Sequence, residues 1–380
     1  MKFKEYKLEE IINCFDNKRK PLSSLQRQKI KGIYPYYGAQ EIIDYIDRYI
    51  FDGKYLILAE DGENLRSNVK PLVKLIDGKF WINNHAHIFQ TNEKCKIEYL
   101  YYALLKTNIK PFITGTTQPK LNQSNMLKIR VKIPNVYNQN KIVKILETID
   151  RKISNNTQTN NNLHELTLTL YKQFIEDNND AEEVLLKDCV KQIGTGADAI
   201  QRAPIVDYDT GIRCIRVGDM TNNRKCYEWG FTKTTDKDFN NYKLDIGDIV
   251  ITRTAVNGIA YLIEDSMKVV CNNGLIKLKV NENYNPLYIF LAMKTKDFYD
   301  YIHRIDSETS VRPNMKVNYL TSYKIKKISV GKQNKFCNMI KPMRQRQKEI
   351  EHENSNLIQI RDMLLPKLMN GEIDLDKIEI

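Results

Sequence analysis

Two segments of this chain carry residue types that group-transfer chemistry uses. Ile193-Gly194-Thr195-Gly196 offers the glycines of a nucleotide-cradling turn, and Asn285-Pro286-Leu287-Tyr288 offers a proline-braced loop. A methyltransferase needs both kinds of loop, one for its cofactor and one for the target amine. The second segment, however, has Leu287 where an amino-methyltransferase loop carries another proline, and a Gly-x-Gly alone is a weak signal. His85 and His87 are alternate residues, which on a strand share a face and can ligate one metal. No second His or Cys cluster accompanies them in sequence, so a packed or hydrogen-bonded pair is expected. There is no His-Glu-x-x-His, no Walker loop and no Gly-x-Ser-x-Gly. The residues predict no catalytic group, no metal and no cofactor held by this chain.

Recognition chemistry is better represented. Thr114-Gly115-Thr116-Thr117-Gln118-Pro119-Lys120-Leu121-Asn122 gathers hydroxyl, amide and ammonium groups around a proline. Such groups bond phosphates and base edges, and Pro119 stiffens the loop before anything binds. Thr116, Thr117, Gln118, Lys120 and Asn122 are its candidate DNA contacts. Glu308-Thr309-Ser310-Val311-Arg312-Pro313-Asn314-Met315-Lys316 has the same character, with Ser310, Arg312, Asn314 and Lys316 as candidates. A solvated turn between helix and strand is the plainer reading of both loops. Arg253 and Asn257 form another candidate group, with Asp61 to Arg66 as its image. Arg213 and Arg216 in GIRCIRVGDM form a third, although one of these arginines has Asp219 to pair with.

The elements that position these loops occur twice. A shift of 194 residues carries Gly53 to Gly247, Pro119 to Pro313, Gln139-Asn140-Lys141 to Gln333-Asn334-Lys335 and Asn162-Leu163 to Asn356-Leu357. Asn83-Asn84 and IEYLYYALLK recur at a shift of 189, and Glu5-Tyr6-Lys7-Leu8 recurs at 178. One duplicated unit with loop insertions explains every match. Each copy reads as a mixed α/β globule followed by a long helix. Along 138–177 the residues Ile142, Leu146, Ile149, Ile153, Asn156, Asn160, Leu163, Thr167, Leu170 and Phe174 make a heptad seam. Phe336, Ile340, Met343, Gln347, Ile350, Asn354, Leu357, Arg361, Leu364 and Leu368 repeat it. Some 40 residues of helix make a rod of about 60 Å. Two such rods most simply lie antiparallel with a globule at each end. Asn160 and Asn354 then either pin the pairing register or mark a solvated mid-section. Pro342, inside the second helix, predicts a late start or a kink there.

The predicted segments are 1–137, a first recognition domain; 138–178, the central helix; 179–331, a second recognition domain; 332–371, the C-terminal helix; and 372–380, a tail. Net charge is +12 and the pI about 9.1, which favours a polyanionic partner. The excess is concentrated. Residues 107–156 carry nine Lys/Arg against two acids, and the equivalent window 301–350 carries twelve against three. Two matching basic regions suit duplex DNA. Seven scattered cysteines without a Cys-x-x-Cys fit reduced, packed thiols. The start MKFKEYKLEEII has no apolar signal core, and no apolar run reaches the ~18–20 residues of a membrane span. A cytoplasmic protein without membrane contact is expected.

With these residues in view, the chain resembles the specificity subunits of type I restriction–modification systems. LLPKLMNGEIDL at 364–375, YPYYGAQEIIDYI at 34–46, AEDGEN at 59–64, GTTQPKLN at 115–122, GIRCIRVGDM at 211–220 and the duplication carry the resemblance, which covers essentially all 380 residues. SETSVRPNM departs from the form of its first-half partner. The resemblance implies an α+β fold of two tandem target-recognition domains, separated by two long helices that form an antiparallel coiled coil with a pseudo-twofold repeat. It implies one half-site of a bipartite DNA target read by each domain. Two modification (methyltransferase) subunits would dock on the coil, with restriction subunits joining through the complex. S-adenosylmethionine and ATP would belong to those partners, and this chain would be non-catalytic. Two other readings stand beside it. A single-chain methyltransferase or restriction enzyme would itself bind S-adenosylmethionine. A coiled-coil scaffold that never touches DNA would leave the assembled complex without salt-sensitive DNA binding.

Overall fold

The computed structural model describes residues 1–39, 41–67, 69–115, 117–308 and 315–377. It divides into two compact units, Met1–Thr157 with Glu351–Ile380, and Gln158–Ile350. In the first, Ile12–Cys14, Ala86–Thr91, Tyr55–Ala59 and Val73–Ile76 form an antiparallel sheet in that order. The apolar run of Tyr55–Ala59 makes it a strand buried on both faces. Leu56 and Leu58 pack toward the helix Ile97–Lys106, while Ile57 packs with Ile82 and Ile88 on the other side. A second sheet orders Ile42–Ile46, Lys31–Tyr37, Lys79–Ile82 and Phe51–Asp52, with one parallel pair between Lys31–Tyr37 and Lys79–Ile82. A ribbon of Phe3–Lys7 against Arg130–Pro134 closes the globule at the foot of the first long helix.

The second unit repeats the main sheet and the ribbon, whereas its second sheet is ordered differently, as Ile205–Val206, Phe231–Thr232, Arg213–Ile215 and Val269–Cys271. Its main sheet is Val190–Thr195, Leu275–Val280, Ile249–Thr252 and Ala260–Leu262, and its second sheet again holds one parallel pair, Arg213–Ile215 with Val269–Cys271. Glu183–Leu185 and Lys324–Lys326 form the ribbon. The correspondence extends to single hydrogen bonds. Gln139, fully buried, receives the Lys96 amide at 2.8 Å and donates to the Pro134 carbonyl at 3.0 Å. Gln333 receives the Asn285 amide at 2.8 Å and donates to the Ile328 carbonyl at 2.6 Å. Tyr99 and Tyr288 donate to the carbonyls of Lys132 and Lys326. Each glutamine thereby ties the short helix and the last strand to the base of a long helix. One register differs from the sequence expectation. Leu56 opposes Phe89 as Ile249 opposes Leu278, so the central strands correspond at a shift of 193 rather than 194, one residue being lost after Gly247.

The long helices span Val136–Glu176 and Val330–Met369. Within each unit their segments run antiparallel, since partners climb along one helix as they fall along the other. In the first unit Arg361 pairs with Asp150 at 3.0 Å, and Asn156 donates to Asn354 at 2.9 Å. In the second, Gln347 donates to the Asn160 carbonyl at 3.4 Å and Phe174 stacks on Phe336 at 4.5 Å. Ile142, Leu146, Phe336, Ile340 and Ile350 are buried. Ile149, Ile153, Leu163, Leu170, Met343, Leu357 and Leu364 are half-buried. Asn354 meets Asn156 in the first unit, and Asn160 lies in the second. One expectation needs correction: the C-terminal helix starts before Pro342 and continues through it, so there is no late start.

Candidate nucleic-acid interface

In the first unit the loop 114–122 lies beside the end of the central strand. Thr114 and Lys120 exchange two backbone hydrogen bonds of 2.8 Å, and the Leu121 amide donates to the Glu60 carbonyl at 2.7 Å. Gly115 closes the turn at φ +87, where a Cβ would lie 2.2 Å from the Gln118 carbonyl oxygen. Pro119 and Leu121 are buried, and Thr117, Gln118 and Lys120 are exposed. The loop thus hides its apolar residues and presents donors and acceptors on a stiff frame. Arg66 turns inward to donate to the Gly115 carbonyl at 2.9 Å. Asn122 caps the helix Gln123–Leu127 by accepting the Asn125 amide. Thr116 lies outside the described residues.

Beneath this loop lies a charged cluster that sequence reasoning did not assemble. The buried His87 bonds the Asp16 carboxylate through Nδ1 at 2.5 Å and the Leu121 carbonyl through Nε2 at 2.7 Å. Arg19 donates to Glu60 at 2.7 Å and lies 3.5 Å from Asp16, and Lys120 lies 3.4 Å from Glu60. Burial raises the Asp16 carboxyl, but the His87 bond and charge, the Ile88 amide and Arg19 outweigh it and hold it below its ordinary value. Asp16, Glu60 and His87 bring ligand-type atoms within 4.8 Å of one another. The residues nevertheless fit a metal poorly. Arg19 already supplies the positive charge between the carboxylates, 2.7 Å from Glu60 and 3.5 Å from Asp16. His85 engages a different carboxylate, Asp61, at 2.8 Å. The hydrogen-bonded alternative to a His85–His87 metal pair is what the geometry shows. The signal for the cluster was present only as scattered polar residues among apolar strand positions.

The second unit places other groups at the same edge. The Met315 amide donates to the Arg253 carbonyl at 2.8 Å, as Leu121 does to Glu60, so Arg253 occupies the place of Glu60. Arg216, Arg253, Thr254, Asn272 and Asn273 line a shallow cavity of about 390 Å³. Arg216 is held by Asp219 at 3.2 Å. Arg213 stacks on Phe231 at 4.2 Å and donates to the Trp229 carbonyl, which makes it part of the sheet's packing. Asn257 donates to Asp306 at 2.6 Å. Lys316 is exposed at the start of the helix Val317–Thr321, and Ser310, Arg312 and Asn314 lie outside the described residues. The two segments that suggested methyl transfer are structural. Gly194 and Thr195 lie in a strand, and a Cβ on Gly196 would lie 2.2 Å from the Cys271 carbonyl oxygen. Asn285 caps the helix Pro286–Ala292. Neither segment forms a cofactor cradle.

A duplicated α+β globule with paired long-helix segments in each unit, and the same backbone bond to a loop residue at one sheet edge of each, is a scaffold built twice. The chain belongs to the type I restriction modification DNA specificity domain family, whose profile matches residues 1–165 and again 181–359. A type I restriction enzyme specificity subunit of Methanocaldococcus jannaschii is 24% identical over 324 residues, covering 74% of this chain and 70% of that one. A proposed type I specificity subunit of Haemophilus influenzae is 37% identical over 142 residues; that match spans 36% of the relative's length. The S subunit structure from M. genitalium shares the fold, with a TM-score of 0.63 at 16% identity over 97% of this chain and 96% of that one. Among the described residues no helix is long and apolar enough to cross a membrane.

Proposed function

We propose that the chain reads a split DNA target, one half-site per globular unit, and carries modification subunits on its paired helices without catalysing a reaction itself. The observation that carries this reading is the matched anchoring of two unlike loops. Leu121 to Glu60 and Met315 to Arg253 are the same bond at the same sheet edge, yet the side chains around them differ throughout. Identical mounting with different contents is what two readers of different sequences require. The basic windows 107–156 and 301–350 would supply the salt-dependent share of affinity through phosphates. Apolar residues recur at equivalent exposed helix positions, Leu166 with Ile360 and Val136 with Val330. Such pairs suit two copies of one partner, the modification subunit. S-adenosylmethionine and ATP would then be bound by the partners, and restriction subunits would join through the complex.

Co-expression with the modification subunit, followed by methylation mapping of host DNA, tests the reading. The expected result is a bipartite adenine-methylated motif with an unread gap; a continuous motif would overturn it. Binding of S-adenosylmethionine by the purified chain alone would favour the single-chain enzyme instead. One heptad added to each long helix, between Thr157 and Gln158 and between Ile350 and Glu351, adds about 10 Å of helix. The gap is then expected to change by up to about three base pairs while both half-sites persist. An unchanged gap would sink the idea that the helices set it.

A further inference from the structure

Among the described residues, the buried cluster under the first loop has no counterpart in the second unit. The ladder positions of Asp16, His87 and Glu60 correspond to Thr195, Ile276 and Arg253. We propose that Asp16, Arg19, Glu60 and His87 are positioning residues for base discrimination in the first half-site. They would hold the loop 114–122 in the one conformation that reads it. This rests on the reading of the loops as DNA readers.

The connections run in one direction, from the sheet to the loop. Asp16 is fixed by the Ile88 amide at 2.9 Å and passes its hold to His87. His87 reaches the loop backbone at Leu121, so an imidazole N–H ends on the loop's own carbonyl. Glu60 takes Lys120 from the loop's outer side and Arg19 from within. Arg19 in turn donates to the Ala86 carbonyl at 2.8 Å, on the same strand as His87. The loop is therefore held at Leu121 through its backbone and at Lys120 through its side chain. Thr117 and Gln118 project from between these anchors and the Gly115 turn. A cluster serving stability alone would have no reason to end on loop atoms, and the second unit does without it at Thr195, Ile276 and Arg253.

The test uses the full chain assembled with its modification subunits. Methylation rates are measured on the mapped target and on targets with single base-pair substitutions in either half-site. His87→Gln keeps the side chain polar but removes one of its two ring contacts. Glu60→Gln keeps the shape and removes the ion pairs with Arg19 and Lys120, with little folding risk. For both variants, discrimination against substitutions in one half-site is expected to fall by about tenfold, with the other half-site read as in the parent. A purely structural role would lower methylation of all targets together and leave the ratios intact. Unchanged ratios in Glu60→Gln, or equal loss at both half-sites, would overturn the proposal. A parent complex that reads no split target would instead overturn the reading of the loops themselves.

Discussion

Lys294 is the most exacting test of the energetics at the joint between the second globule and the C-terminal helix. Its ammonium donates to the Ala260 carbonyl at 2.6 Å and lies 5.0 Å over the Phe290 ring, with the Arg344 guanidinium 5.2 Å from that same ring. Burial, and then the charge of Arg344, push its pKa down to about 8. Against an ordinary value of about 10.5, that shift corresponds to about 3 kcal/mol of penalty on the charged form. Below pH 8 both folded and unfolded chains hold the proton, so the penalty applies in full. Between pH 8 and the unfolded value the unfolded chain holds more protons, so this group makes stability rise with pH. Lys294→Met removes the charge and keeps the stem, at the cost of about 1–3 kcal/mol for an unpaired Ala260 carbonyl. The second unit should therefore gain about 0–2 kcal/mol at pH 7. Its advantage over the parent should shrink by about 2 kcal/mol by pH 9.5. The chain has two tryptophans, so Trp81→Phe leaves Trp229, buried in the second unit, as the sole reporter of urea unfolding. A parent and variant with parallel pH profiles would refute the argument, whatever their difference at pH 7.

The buried glutamines give a symmetric prediction. Gln333→Leu leaves the Asn285 amide and the Ile328 carbonyl without their partner and should cost about 2–4 kcal/mol, read by Trp229; Gln139→Leu should cost the same in the first unit, read by Trp81. Asp16 is held below its ordinary carboxyl value in the folded state, so its contribution is present above the unfolded value and lost as pH falls through the folded one. Urea midpoints of the first unit should fall between about pH 5 and 3 in the parent, and less steeply in Asp16→Asn. Replacing Thr117 and Gln118 with alanine should alter one half-site with stability changed by under about 0.5 kcal/mol, as expected for exposed positions. Methylation mapping and urea unfolding check the two halves of that statement.

Much of this architecture was legible because it is written twice. The 194- and 189-residue shifts located the central strand, the strand after Asn83-Asn84 and the short helix beyond it, and Gln139-Asn140-Lys141 stood out before its hydrogen bonds were known. What stayed hidden depends on a third dimension that neither composition nor spacing carries. Arg213, Arg216 and Arg66 were reasonable candidates as basic residues near loops. Phe231 and the Gly115 carbonyl, distant or unremarkable in sequence, engage Arg213 and Arg66, whereas Asp219, three residues from Arg216, was legible as a partner. Asp16, Arg19, Glu60 and His87 come from three separate segments and show no common motif. Translation matches Asn160 to Asn354, but antiparallel helices bring together residues related by reversal, as Asn156 and Asn354 are.

That reversal also decides what counts as a module. The core of the first unit includes Ile142, Val143 and Leu146 from one long helix and Leu365, Leu368 and Met369 from the other. The second core likewise takes Tyr171 and Phe336, Cys337 and Ile340. A globule is therefore not closed at its last strand; it is completed by segments about two hundred residues apart in the chain. Exchange of 1–137 for another recognition domain should alter one half-site only where the incoming sequence fits those six helix residues. A poor fit should appear as loss of the first unit's stability, read by hydrogen exchange at Ile142 and Leu146, before any change in specificity. The recognition loops are free to diverge because they meet the rest of the unit through backbone bonds such as Leu121 to Glu60. The helix contacts have no such freedom, since each side chain there fills space in a core. An exchange that ignored the helix positions yet folded with full stability would show that the two are independent after all.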